Sequence, residues 1–116
     1  MIEKINYKPE CFNIHKEGIT CFTLSDERGK FAYLGIEPIG NDATVHFVYD
    51  RFTNETLKTT KQDWIDVKAL IRRMGFNRVF ATKEYTDKDD CEKFSRFIRH
   101  FGFTNSRIIY MSHQEV

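Results

Sequence analysis

The stretch Ala43-Thr44-Val45-His46-Phe47-Val48-Tyr49-Asp50-Arg51 decides the fold, because one hydrophobic period gives way to another at its end. Val45, Phe47 and Tyr49 alternate with Thr44, His46 and Val48, the period of two by which a β-strand presents two faces. Beyond Arg51 the apolar residues Leu57, Trp64, Val67, Ile71 and Met74 follow one another at spacings of seven, three, four and three, with Thr60 in the polar gap. That is the stripe of an amphipathic helix. Its start has two readings: Thr53 caps it early, or Thr60 followed by Asp63 forms a capping box and begins it later. Arg72 and Arg73 suit the negative end of the helix dipole, and Gly75 suits the residue beyond it.

Working outward, residues 77 to 84 hold Val79 and Phe80 in a short β-prone run, which predicts a strand parallel to the one ending at Asp50. Thr86 and Asp87 are cap residues, and Cys91, Phe94, Phe97, Ile98 and Phe101 then line one face of a second helix closed by Gly102. Arg107 to Met111 reads as a last strand. In the other direction, Gly40-Asn41-Asp42 is a turn, residues 31 to 36 are apolar on both faces as in a central strand, and Asp26 to Gly29 is another turn. Residues 11 to 25 suggest a hairpin around Glu17-Gly18, with a helical turn as the other reading of its first arm; residues 1 to 10 form an edge strand or an arm. The expected class is α/β (α+β), a single domain over 1–116 with antiparallel N-terminal strands followed by a β-α-β-α-β core.

The 116 residues fit one hydrophobic core, and 41% hydrophobic residues with eleven Phe and five Tyr supply its apolar surface. A net charge of +1 gives no overall field toward nucleic acid or anionic lipid. Arg72, Arg73, Arg78, Arg96, Arg99, His100 and Arg107 make the second half locally basic, but their pattern is first that of a solvated face, and no nucleic-acid signature accompanies them. The chain lacks both a span-length apolar run and a signal-peptide core, so a cytoplasmic location without a membrane role is expected. Cys11, Cys21 and Cys91 have no CxxC spacing and the histidines no HxxxH pairing, so reduced thiols and no metal are expected.

The order of strands and helices, with a basic turn where the central strand meets the first long helix, resembles the C-terminal core of the GNAT superfamily of N-acetyltransferases over residues 29 to 112. Ala43 to Arg51, and the run from Cys91 to Phe103 ending in Gly102-Phe103, are the pieces that carry the resemblance. The likeness implies an acetyl-CoA cosubstrate whose diphosphate rests on backbone amides at the first helix tip. The matching positions are Arg51, Asn54 and Thr56; the last two stand where the family has glycine, or glycine or alanine. It also implies that the backbone of Phe47, Val48 and Tyr49 polarises the thioester carbonyl.

Acetyl transfer to an amine acceptor needs a proton acceptor and a donor for the departing thiolate. Glu84 and His46 are the candidate bases. The family often places the donor, a Tyr, where this chain has Ile98, so Tyr110 or Tyr85 would have to supply it from another element. A second expectation belongs to a different class: a relative without turnover that serves as a binding or structural protein, in a phage setting, toward a host or virion protein partner.

Overall fold

The structure is a computed structural model that describes residues 1–12, 18–81 and 87–103. The chain divides into two compact units, Met1–Glu84 and Tyr85–Val116, taken in turn below.

In the first unit the described residues form one five-stranded sheet in the order β1-β2-β3-β4-β5: β1 (Ile2–Ile5), β2 (Thr20–Asp26), β3 (Gly29–Ile39), β4 (Asp42–Tyr49) and β5 (Val79–Ala81). The first four run antiparallel; β5 lies parallel to β4, as the change of period predicts. The two-residue turn at Gly40 and Asn41 pairs Ile39 with Asp42, which sets Glu37 opposite Thr44 and Gly35 opposite His46. β3 extends past the predicted limit to include Pro38, which is tolerated because β2 ends its pairing at Ile36. Before β2, a short 3-10 turn spans Glu10–Phe12, so the helical reading of this arm prevails at its start.

The long helix, α1, covers Asn54–Arg73. Thr53 is its cap: its hydroxyl accepts from the Thr56 amide at 3.1 Å, and the Thr56 hydroxyl accepts from the Thr53 amide at 2.9 Å. Thr60 is therefore inside the helix, buried, donating its hydroxyl proton to the Thr56 carbonyl at 2.8 Å and taking the Tyr49 hydroxyl at 2.8 Å. The buried stripe Thr56, Thr60, Trp64, Val67 and Ile71 lies at spacings of three and four. Trp64 meets Phe47 with ring centroids 5.9 Å apart. The core on this side includes Leu24, Phe31 and Ala32, with Ile2, Phe47 and Tyr49 packed against it.

Gly75 ends α1 at φ 94°, donating to the Arg72 carbonyl while the Phe76 amide reaches back to Ile71. This is the paired bonding of a Schellman cap, which favours glycine at its left-handed position. Gly75→Ala should cost about 1 kcal/mol, read as a lower urea midpoint with an unchanged slope; an unchanged midpoint would remove the cap from the account of how α1 stops.

The second unit holds α2 (Lys88–Arg99), with Phe97 and Phe101 in an edge contact at 5.0 Å. Its end repeats the cap of α1, since Gly102 bonds to Arg99 and Phe103 to Ile98. The last strand expected at Arg107 to Met111 falls outside the described residues. Among the described residues no helix is long and apolar enough to cross a membrane.

Candidate functional site

The end of β4 brings most of the expected site residues to one place. Alternation along the strand turns Phe47 and Tyr49 toward α1, while His46 and Val48 take the opposite face. Tyr49 stacks on Phe31 at 6.0 Å and meets the exposed ring of Phe52 edge-on at 5.0 Å. Burial pushes its hydroxyl pKa up to about 12, against a smaller opposing effect of the Thr60 hydrogen bond.

Arg51 follows immediately. Its guanidinium grips Asp26 with two bonds, 3.0 Å and 2.7 Å, and lies 5.9 Å from the centre of the Phe31 ring. The bidentate bond holds the Asp26 carboxyl below its ordinary range; the Arg28 amide, 2.9 Å from the same carboxylate, acts in the same sense. The amides of Asp50 and Arg51 both donate to the Phe31 carbonyl. At the α1 tip the reciprocal cap takes up the amides of Thr53 and Thr56, and the Leu57 amide bonds the Thr53 carbonyl. The first-turn amides of Asn54 and Glu55 are left without an intrahelical acceptor. Asn54 is exposed, whereas Thr56 is fully buried with its hydroxyl turned back on Thr53.

On the opposite face, His46 Nε2 lies 3.1 Å from Glu37 Oε1, and both side chains are mostly buried. Phe12 is fully buried and meets the His46 ring at 6.4 Å; it lies over Gly35, where an added Cβ would come within 3.3 Å of Phe12 Cε2 and 2.7 Å of Ile19 Cδ1. Thr44, on the same face, is buried with no hydrogen-bond partner for its hydroxyl among the described residues. A carboxylate within hydrogen-bond distance of an imidazole orients the ring, the arrangement expected of a positioned base. Near the strand ends on this face, Lys30 pairs with Asp50 and sits 4.0 Å from the centre of the Tyr33 ring.

The structure thus gathers Phe47, Tyr49, Arg51, Asn54 and Thr56 around the strand-to-helix passage and puts His46 on the far side of the same strand. Glu84, Tyr85 and Tyr110 lie outside the described residues. Two residues that sequence reasoning did not single out, Glu37 and Asp26, are the direct partners of two that it did. Glu37 had a signal, since a two-residue turn at Gly40 and Asn41 fixes which β3 residues lie beside His46. Asp26 had none, because its pairing with Arg51 spans 25 positions and three strands. Among the described residues no cluster of His, Cys, Asp and Glu could hold a metal ion. Comparison with protein-family models, with curated proteins and with solved structures gives no match to this chain.

Proposed function

We propose that this chain is a compact GNAT-like domain that binds an acyl-coenzyme A at the end of β4 and transfers its acyl group to an amine. The observation that carries the reading is the pairing of β4: its bonds to β5 cover Ala43 to Val45 among the described residues, and His46 to Tyr49 run on beyond them to the α1 tip. Alternate amides of an antiparallel strand point away from its partner, so this stretch directs donors to the side away from β3. A thioester carbonyl placed there would be polarised by the backbone of Phe47 to Tyr49. The Asn54 and Glu55 amides at the tip suit a diphosphate. Attack of the amine nitrogen on the carbonyl carbon forms the amide bond and breaks the carbon–sulfur bond; the amine proton goes to His46, held by Glu37, and the departing thiolate takes a proton in turn. We place this activity in the cytoplasm, where the free thiols of Cys11 and Cys21 would stay reduced.

A second reading has its own support. Arg51 is committed to Asp26, the Thr56 hydroxyl is closed on Thr53, and the Glu55 carboxylate sits in the first turn of α1, where it opposes an incoming diphosphate. These features favour a relative without turnover that binds a protein partner, in a phage setting a host or virion component.

One titration separates the two. Acetyl-CoA and desulfo-CoA, added separately to the purified chain up to millimolar concentration, should raise Tm by several degrees, because a ligand bound only to the native state stabilises it. No rise with either ligand would decide for the binding protein.

A further inference from the structure

The Arg51–Asp26 contact is one of two two-bond arginine–carboxylate pairs among the described residues of the sheet; in the other, Arg78 meets both oxygens of Asp42 through Nε at 3.4 Å and one terminal nitrogen at 3.0 Å, with its side chain 71% exposed. Lys30 and Asp50 meet through one nitrogen and one oxygen at a half-exposed carboxylate, and the Met1 ammonium reaches a single oxygen of Asp63. Arg51 instead presents both terminal nitrogens to both oxygens of Asp26, with side-chain exposures of 26% and 17%. A guanidinium fork closed on two coplanar oxygens is the geometry with which arginine holds a phosphate. The carboxylate occupies the place that two phosphate oxygens would take.

The surroundings allow this bond to open. Asp26 keeps the Arg28 amide as a donor when Arg51 leaves, so its charge is not stranded. Arg51 keeps the Phe31 ring beneath it, and its main chain stays anchored by the amide bond to the Phe31 carbonyl. Only the guanidinium has to swing, and the first-turn amides of Asn54 and Glu55, which have no intrahelical acceptor, lie three and four residues further along the same chain.

We propose that Asp26 is an internal anion that latches Arg51, so that a diphosphate-bearing ligand gains the arginine only by displacing the Asp26 carboxylate. This rests on the coenzyme-binding reading above and adds to it a self-inhibitory contact in the β2–β3 turn. The latch lowers affinity in two ways, by occupying the fork and by holding a negative charge where the ligand's own charge must come.

The test compares the full chain with Asp26→Asn, Arg51→Ala and the double variant, using desulfo-CoA and inorganic pyrophosphate as probes in isothermal titration. Asparagine retains an oxygen for the Arg28 amide but carries no charge. Asp26→Asn should bind desulfo-CoA roughly three- to tenfold more tightly than the unaltered chain, the range expected for freeing a half-buried bidentate pair. The gain should vanish in the double variant. Equal affinity in the unaltered chain and Asp26→Asn would overturn the latch while leaving the coenzyme reading intact. A gain that survives Arg51→Ala would also overturn it, since the released group would not be Arg51. Absence of binding in every variant at millimolar ligand would remove the latch and the coenzyme site together. Should Asp26→Asn melt below the assay temperature, Asp26→Ser keeps the turn oxygen and is held to the same outcomes.

Discussion

Replacing Phe31 by alanine should destabilise the first unit by about 3 to 5 kcal/mol, the range for removing a fully buried aromatic ring. Phe31 is 0% exposed, stacks on Tyr49, belongs to the cluster with Leu24 and Ala32, and lies under the Arg51 guanidinium. Its truncation leaves a cavity that rigid strands on either side cannot collapse to fill. Domains are stable by only about 5 to 15 kcal/mol, so the loss is a large part of the total. Urea unfolding measures it, with Ile65→Ala as the control: Ile65 is 68% exposed on α1 and should change the midpoint little. A loss below about 1 kcal/mol for Phe31→Ala would contradict the packing described for β3 and β4.

The second large effect appears in alkali. The Tyr49 hydroxyl holds its proton up to about pH 12 in the folded chain, against 10 when unfolded, because burial disfavours the phenolate. Between these values the unfolded state loses the proton first and binds fewer protons than the native state. Stability is therefore fully present below pH 10 and falls as pH rises toward 12, by roughly 2 to 3 kcal/mol for this group. Tyr49→Phe removes the ionisation along with the hydrogen bond to Thr60. It should cost about 1 kcal/mol near pH 8 and flatten the alkaline decline. Unfolding free energies at pH 8, 10 and 11.5 check both parts; parallel declines in the two proteins would mean that Tyr49 is not the group that titrates. Other tyrosines and lysines contribute equally to both curves and cancel in the difference.

Those two residues mark what sequence can and cannot convey. The alternation of Val45, Phe47 and Tyr49 is a local property of the chain, and so is the helical stripe through Trp64, Val67 and Ile71; both elements were readable from spacing, and their parallel neighbour β5 from the β-prone Val79 and Phe80 lying between two helical patterns. The start of α1 was not, because Thr53 and Thr60 have the same side chain and either can cap. What separates them is the Tyr49 hydroxyl, which demands a buried partner and finds Thr60. The run at Phe12 and Ile14 was too short to tell a strand from a helical turn, and packing of Phe12 over Gly35 accompanies the turn seen there. For the site, Arg51 and His46 stood out by type and position, but what each can do depends on Asp26 and Glu37, which only the folded sheet brings beside them.

The manner in which the strands are joined has a consequence for how the protein is made. β2, β3 and β4 follow one another through two-residue turns, whereas β5 is reached only after the whole of α1 has been added. A chain emerging from the ribosome can therefore zip its meander from neighbouring contacts while the greasy side of that sheet still faces water. The interval ends when the segment carrying Trp64 and Val67 arrives to cover it, so delay between residues 50 and 70 is the moment of greatest hazard for a nascent copy.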